Sequence, residues 1–337
     1  MKSLIKLLFV PFALASLLAF TSLPAFPQCT PTGFTYDGNS SLTAALINPT
    51  TTVTGTVPTG CDIGVYFDNG KGSVDKAVIS GFKYFGVVVN GDVNNVSVDV
   101  TNSTISNIGD NPLDGNQYGV AIYYRAFYLT SSASGTISGN QISTYQKGGI
   151  VTNGQGTSVV ITDNTVTGLG PTDLIAQNGI EIGYGASASV MSNTVTGNSY
   201  TGNSTVSVGI LPVGGPFYSC PDGNPCPYTV GTRIVGNTVT GNDVAVYIAD
   251  VSAGYNAATS ATNIKVVNNT LTNLYVNNGA VYQAGVSDGG MNDKIINNTI
   301  SGYGYDPNTI SGSTFSIDYW GTASKIHANA FDGVKTP

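Results

Sequence analysis

The apolar residues of the chain fall in short runs separated by polar turns, and no helical period extends over a useful length. Gly179-Ile180-Glu181-Ile182 and Val159-Val160-Ile161 are typical of these runs, which are rich in β-branched side chains and are bounded by Gly and Asn. Alternation over so few residues indicates short β-strands. The pattern therefore predicts an all-β protein.

A four-residue phrase marks a repeat of about 30 residues, a period typical of stacked repeat architectures. The phrase has the form Asn-x-[Val/Ile/Leu]-x with small variations, and its copies begin at Ser103, Asn140, Asn164, Asn193, Asn237, Asn269, Asn298 and Asn329. Each copy is directly preceded by a second apolar run and followed by a third run led by Gly or Ala. One repeat therefore predicts three short strands and three turns.

Stacking explains why such a unit repeats. A lone coil cannot bury its inward Val and Ile, but coils stacked about 4.8 Å apart pair every strand and enclose an apolar interior. We expect Asn to form a sharp corner, because its side chain tolerates left-handed backbone, and stacked Asn side chains to hydrogen-bond to one another. The region from Val74 to Phe331 predicts roughly nine coils at this period.

The repeated phrase, preceded by an apolar pair and followed by a Gly-led strand, resembles the parallel β-helix repeat of the pectin lyase-like superfamily. The resemblance covers most of the chain and implies a right-handed parallel β-helix with three short strands per coil. A β-sandwich is the structural alternative, and the fixed period argues against it. We expect a signal peptide at 1–25, an amino-terminal cap at 26–73, the β-helix at 74–333 and a tail at 334–337.

The amino terminus has the features of an export signal. Lys2 and Lys6 precede an apolar run that ends at Phe20, and Ala25 is a small residue at a plausible cleavage point. The alternative, a membrane anchor, requires about 20 apolar residues, and this run is shorter. In an exported chain an even number of cysteines predicts disulfides, Cys29 with Cys61 and Cys220 with Cys226. We expect a secreted or cell-envelope protein, either extracellular or periplasmic.

Composition and charge limit the classes of molecule that the protein is expected to bind. Charged residues make up 9% of the chain and hydrophobic residues 41%, so the chain buries a core beneath a surface of hydroxyls and amides. The net charge is −7, or −9 once Lys2 and Lys6 are removed. Such a surface does not attract nucleic acid or anionic lipid, which leaves neutral or cation-bridged partners. His327 is the single histidine and no Cys-x-x-Cys pair occurs; no metal or other cofactor is expected, and calcium has no support in the sequence.

The resemblance implies polysaccharide lyases, hydrolases and epimerases, but their catalytic motifs are missing. Asp163-Asn164-Thr165 has the wrong order for the polygalacturonase pattern, and Arg233-Ile234-Val235 lacks its lysine. Arg125 and Arg233 are the only arginines, so the pectate lyase stretch Arg-x-Pro-x-x-Arg is absent. Candidate catalytic residues reduce to Glu181, Asp250 and Arg233, with Tyr184 beside them. The alternative for Glu181 is an outward strand residue that is simply solvated.

A carbohydrate-binding role has more support. Amphipathic rings suit sugar faces because the ring buries apolar area while its polar edge stays wet. Candidate rings lie on or beside the Gly-led strands at Tyr123, Tyr124, Tyr184, Tyr247, Tyr282, Tyr319 and Trp320. The alternative is packing against loops, since Tyr is common in strands. The sequence thus favours a protein that binds or presents to a polysaccharide or glycan surface; the alternative is a lyase or glycoside hydrolase.

A minor third hypothesis rests on paired threonines that flank the inward residue of each phrase. Thr165 with Thr167 and Thr194 with Thr196 are examples, and the same pairs occur at Thr238 with Thr240 and at Thr270 with Thr272. In stacked coils they would form two columns resembling those of ice-binding solenoids. Threonine is also a common outward strand residue, which is the simpler interpretation.

Overall fold

The computed structural model describes residues 28–36, 38, 40–202, 204–273, 282–303 and 314–332. The signal peptide predicted at 1–25 and the tail at 334–337 lie outside these residues. The strands in chain order are β1 (Thr30–Pro31), β2 (Thr43–Ile47), β3 (Val53–Thr56), β4 (Ile63–Phe67), β5 (Gly70–Phe82), β6 (Phe85–Asn90), β7 (Val96–Thr101), β8 (Thr104–Ile108), β9 (Val120–Arg125), β10 (Ala133–Ser138), β11 (Gln141–Tyr145), β12 (Gly148–Asn153), β13 (Thr157–Thr162), β14 (Thr165–Thr172), β15 (Asn178–Gly183), β16 (Ser187–Met191), β17 (Thr194–Tyr200), β18 (Val208–Gly214), β19 (Arg233–Val235), β20 (Thr238–Thr240), β21 (Val244–Ser252), β22 (Asn256–Ala257), β23 (Lys265–Val267), β24 (Thr270–Thr272), β25 (Gln283–Asp288), β26 (Lys294–Ile296), β27 (Thr299–Ser301), β28 (Thr314–Tyr319), β29 (Lys325–His327) and β30 (Ala330–Asp332).

These strands form two sheets that wind as a solenoid. Sheet 1 has the order β1-β2-β4-β6-β9-β12-β15-β18-β21-β25-β28, and all its neighbours along this path are parallel except β1 with β2. Sheet 2 contains two parallel series, one running from β7 to β29 and the other from β8 to β30. From β6 onward, each sheet 1 strand is followed by one strand of each series, apart from the short β22 that pairs antiparallel with β21. The predicted all-β parallel architecture is confirmed.

A single file of apolar side chains fills the interior behind each strand series. Val166, Val195, Val239 and Leu271 pair in register on successive coils, and all four are fully buried. Complete burial of a side chain of this size is worth about 1.5 to 3 kcal/mol relative to exposure. The file therefore places the recurring phrase at equivalent positions of successive coils.

Glycine leads the sheet 1 strands because the next coil lies too close for a side chain. A Cβ built on Gly179 would lie 2.7 Å from the carbonyl oxygen of Gly209 and 2.5 Å from Val195 Cγ1. A larger residue here would force the two coils apart, which is why the repeat keeps glycine at this position.

The repeated asparagines form a buried ladder. Side-chain amides donate to the carbonyl oxygen of the next asparagine at 2.9 to 3.0 Å in every step from Asn140 to Asn329. Each backbone amide donates to the same oxygen, as Asn193 does to Asn237 at 2.9 Å. The predicted stacking bonds are confirmed, but the predicted left-handed backbone belongs to the preceding residue. Asp163 and Ser192, for example, have φ of 56° and 55°.

Both predicted disulfides are present. Cys29 joins Cys61 with a Cα–Cα distance of 5.4 Å, and Cys220 joins Cys226 at 5.1 Å inside the long connection between β18 and β19. Parallel pairing already begins with β2 and β4, and β5 runs through Val74. The domain boundary at Val74 therefore stays a prediction, with paired strands on both sides of it. In the described ranges no helix is long and apolar enough to span a membrane.

Candidate functional site: a groove on sheet 1

The outward face of sheet 1 carries a groove made of two cavities in line along the coil axis. The amino-terminal cavity has a volume of about 750 Å³ and is walled by the segment Gly33–Tyr36 and by the Cys220–Cys226 loop. The carboxy-terminal cavity has a volume of about 580 Å³ and is bordered by Tyr218, Tyr255 and Trp320. Lys147 lines both cavities, so they meet at this residue.

Strand register sets the floor of the groove. One outward file runs over consecutive coils through Val88, Tyr123, Val151, Glu181 and Leu211. Ile180 and Ile182, on either side of Glu181, are fully buried in the interior. The predicted outward direction of Glu181 is confirmed, and it brings the carboxylate into the amino-terminal cavity.

An ion pair lies in the amino-terminal cavity. Arg125 Nη2 lies 2.6 Å from Asp92 Oδ2, and Asp92 Oδ1 accepts a hydrogen bond from the backbone amide of Phe127 at 2.8 Å. The guanidinium also lies over two rings, 5.2 Å from the centroid of Phe34 and 4.9 Å from that of Phe127. The pair is half-buried and internally neutralised, so it fixes the cavity wall without adding net charge.

Lys147 and Glu181 lie where the cavities meet. Lys147 Nζ donates to the carbonyl oxygen of Ala176 at 2.9 Å, and Glu181 Oε2 accepts from Asn178 Nδ2 at 2.9 Å. Burial lowers the pKa of Lys147, and the negative charge of Glu181 partly opposes that shift. The two groups place an amine and a carboxylate within reach of a ligand in the groove.

A continuous aromatic row borders both cavities. The centroids of consecutive rings are 6.3, 5.7, 5.1, 5.0 and 6.1 Å apart along the series Phe127, Tyr184, Tyr218, Phe217, Tyr255 and Trp320. Burial raises the pKa of Tyr218 to about 12, so its phenol stays neutral and can donate. Tyr255 is 49% exposed and stacks at 13° to the Trp320 ring. The row offers flat apolar faces with polar edges along the groove.

Most of the candidate sugar-binding rings lie in the groove. Tyr184 lines the amino-terminal cavity, and Tyr247, Tyr282 and Trp320 line the carboxy-terminal one. The Tyr247 and Tyr255 hydroxyls are 2.8 Å apart. The Tyr282 hydroxyl donates to Asp318 Oδ2 at 2.5 Å, and Trp320 Nε1 donates to Ser287 Oγ at 3.2 Å.

Two candidate rings lie elsewhere. Tyr319 lines neither cavity, and its hydroxyl accepts a hydrogen bond from the backbone amide of Ser324 at 3.2 Å. Tyr124 points into the solenoid, where it is fully buried and donates to the carbonyl oxygen of Val98 at 2.7 Å. Its neighbour Tyr123 is the outward residue of that strand and lines the amino-terminal cavity.

The three candidate catalytic residues are not brought together. Glu181 lies in the groove, whereas Asp250 is buried and its Oδ1 accepts from the backbone amide of Thr229 at 2.8 Å. Burial raises the pKa of Asp250 to about 8. Arg233 begins β19 in sheet 2, on another face of the solenoid. Over the described part of the chain, no group of three or more His, Cys, Asp or Glu side chains could hold a metal ion.

Sequence reasoning did not find Asp92, Arg125 or Lys147, and it did not find the rings of Phe127, Phe217, Tyr218 and Tyr255. All seven lie at or beyond strand ends, where the repeat gives no positional signal. The long interval between Asn193 and Asn237 was a usable signal, because it indicates an insertion at one corner of a coil. An insertion there must cover an adjoining face of the solenoid, so its side chains are candidates for a site on that face. Phe217 and Tyr218 lie in that insertion, directly before its disulfide.

Comparison with known families decides the classification. The family model described as "Right handed beta helix region" matches residues 38–219, more than half of the chain. The chain belongs to the right-handed β-helix family. The right-handed β-helix that the repeat predicts is thereby confirmed. No curated protein matched this β-helix chain.

Solved structures show similar folds. The Dettilon tailspike protein is 16% identical, with a TM-score of 0.50 over 80% of this β-helix chain and 48% of its own. A double mutant of the periplasmic alginate epimerase AlgG is 13% identical, with a TM-score of 0.45 over 79% and 62% of the two chains. DFA-IIIase from Arthrobacter chlorophenolicus is 11% identical, with a TM-score of 0.40 over 83% and 62%. This chain thus spans about half to three-fifths of these structures, and such identities show the fold alone.

Proposed function

We propose that this β-helix protein is exported and binds a glycan along the groove of sheet 1. The aromatic row is the observation that carries the proposal. Rings such as Tyr184, Tyr255 and Trp320 can bury the apolar faces of sugars, while hydroxyl, amide and carboxylate groups beside them bond to sugar hydroxyls. A site of this kind needs few free charges, and the Arg125–Asp92 pair is internally neutralised.

The shape of the groove supports an extended ligand. Its two cavities lie in line over the coils that contain the sheet 1 strands from β6 to β28. A polysaccharide chain would therefore run along the solenoid axis and not across it. The two disulfides suit an oxidising compartment, and export to the periplasm or beyond is part of the proposal.

A glycan panel with one substitution tests the proposal. The full chain is screened for retention on immobilised polysaccharides, and the affinity of Tyr255→Ala is compared with that of the wild type for any glycan retained. We expect an approximately tenfold loss, since one ring contact is worth about 1 kcal/mol or slightly more. Tyr319→Ala is the matched control, because Tyr319 is similarly exposed at 41% but lies outside both cavities. Equal affinities for both variants, or no retained glycan, would contradict groove binding.

A second candidate function is glycan cleavage by elimination or hydrolysis at the junction of the cavities. Lys147 favours this candidate, because its pKa is lowered by burial and it lies beside Glu181 in the groove. A lysine with a lowered pKa gives up its proton more readily, and the amine can then act as a general base on a proton next to a carboxylate. Release of unsaturated or reducing ends by the wild type, and its loss in Glu181→Gln with retained binding, would support cleavage. Retention of a glycan without release of such ends would contradict the cleavage function.

The paired threonines form the columns expected for the ice-binding hypothesis. Thr194, Thr238 and Thr270 pair in one column, and Thr196, Thr240 and Thr272 in the other. Thermal hysteresis is the deciding measurement. If the flat hydroxyl array binds ice, the wild type shows hysteresis and Thr238→Tyr reduces it.

A further inference from the structure

A column of cations runs along the outward face of sheet 2, away from the groove. Arg233 pairs with Lys265, Lys265 with Lys294, and Lys294 with Lys325 on consecutive coils. All four side chains are exposed, while the next residues on the first three strands, Ile234, Val266 and Ile295, are fully buried. With about 4.8 Å between coils, the four charges lie in a straight line roughly 14 Å long. We call this column the cation ladder.

Among the described residues, no carboxylate forms an ion pair with the cation ladder. Ion pairs among the described residues involve only Lys76, Lys83 and Arg125 as cations. Asp293 precedes Lys294 but is fully buried, and its Oδ1 accepts hydrogen bonds from Thr262 and Ile264. Like charges directly opposite on neighbouring strands destabilise a sheet. The four aligned cations therefore repel one another along the column, and an anionic ligand bound there would relieve that repulsion.

The surroundings of the cation ladder identify the chemistry of its partner. The next outward column on the same strands is apolar and half-buried at Val235, Val267 and Ile296, and it ends at the exposed His327. Beyond the asparagine corner lie the exposed hydroxyls of Thr238, Thr270 and Thr299. Along these described columns His327 is the single aromatic side chain, and no Phe, Tyr or Trp ring is present, whereas sites for single-stranded nucleic acid combine basic residues with several stacking rings.

We propose that the cation ladder binds a linear anionic polysaccharide through its carboxylate or sulfate groups. A straight row of charges with hydroxyls beside it matches an extended polymer that carries acidic groups and hydroxyls along its length. The site lies on a different sheet from the groove and goes beyond the proposed function, so each can be tested without the other.

The test measures binding of polygalacturonate to the full chain and to Lys265→Gln/Lys294→Gln. Between 50 and 200 mM salt, four neutralised charges predict an approximately fiftyfold fall in wild-type affinity, on the rule established for single-stranded polyanions. The double variant has two fewer charges, so its affinity should fall only about sevenfold over the same salt range. At 50 mM salt its affinity should be at least about tenfold weaker than that of the wild type. Lys71→Gln/Lys76→Gln is the matched control, since it removes two exposed cations elsewhere and is expected to bind like the wild type.

Three results would overturn the proposal. The first is absence of polygalacturonate binding at 50 mM salt. The second is an equal loss in the control variant, which would show that only net charge matters. The third is binding of single-stranded DNA or of phosphatidylserine vesicles as tight as that of polygalacturonate and equally sensitive to the double substitution. Tyr255→Ala separates the two sites, because it is expected to leave polygalacturonate binding at the ladder unchanged even if groove binding fails.

Discussion

Replacing one ladder asparagine with alanine tests the central physical claim about this fold. Asn193 is a suitable position because it lies inside the ladder with a neighbour on each side. Its Oδ1 accepts from the backbone amide and the side-chain amide of Asn164, both at 3.0 Å. Its Nδ2 donates to Asn237 Oδ1 and to the carbonyl oxygen of Ile161, again at 3.0 Å. Alanine removes all of these bonds at once.

The expected cost follows from burial. Each buried hydrogen bond contributes about 1 kcal/mol net, and a donor left buried without a partner costs about 1 to 3 kcal/mol. Asn164 loses the acceptor of its backbone amide in this variant. We therefore expect Asn193→Ala to lower the free energy of unfolding by about 3 to 5 kcal/mol. Asn329→Ala should cost less, because Asn329 is half-buried at the last described step.

Urea unfolding followed by far-UV circular dichroism measures the effect. The midpoints of Asn193→Ala and Asn329→Ala are compared with the wild type, provided that the denaturant slopes agree. Thr194→Ala is the control, since Thr194 is the next residue but is exposed, and its loss should cost less than about 1 kcal/mol. If Asn193→Ala and Thr194→Ala differ by less than about 0.5 kcal/mol, the ladder does not stabilise the stack as argued.

Three other perturbations have clear expectations. The pKa of Asp250 is about 8 in the folded chain and about 4 when unfolded, so the free energy of unfolding should fall as pH rises between these values; Asp250→Asn should flatten that fall in urea titrations. Removing the Cys29–Cys61 bridge by double alanine substitution should cost about 4 kcal/mol and removing Cys220–Cys226 about 2, because the closed loops differ in length; equal midpoint shifts would contradict this. Leu271→Ala should cost about 2 to 5 kcal/mol in the same assay, and a smaller loss would mean that the interior collapses around the gap.

Periodicity explains why the interior could be predicted from the sequence. Val195 and Val239 had to point inward together, because an outward slip of one would expose it and break the asparagine bonds beside it. The same logic gave the outward direction of Glu181. The prediction that Tyr124 is a sugar-binding ring was wrong. Tyr123 and Tyr124 are adjacent aromatic residues, and only the register of β9 shows which one faces the solenoid interior.

The groove could be predicted only in part. Tyr184, Tyr247, Tyr282 and Trp320 were candidates because they lie on or near Gly-led strands. Phe217 and Tyr218 could not be placed, since the path of a connection depends on contacts that leave no period in the sequence. Lys147 belongs to no motif in the sequence, and its place in the site depends on the backbone oxygen that it reaches and on the neighbouring Glu181.

The long insertion between β18 and β19 has a consequence for how such a protein can change. Asn193 and Asn237 are 44 positions apart, yet their side chains bond as closely as those of Asn269 and Asn298, which are 29 apart. The stacking of the coils therefore does not depend on the length of the connection inserted at this corner. Evolution or design could exchange the Phe217-Tyr218 segment for another and give the molecule a new ligand preference, while the stack beneath kept its stability.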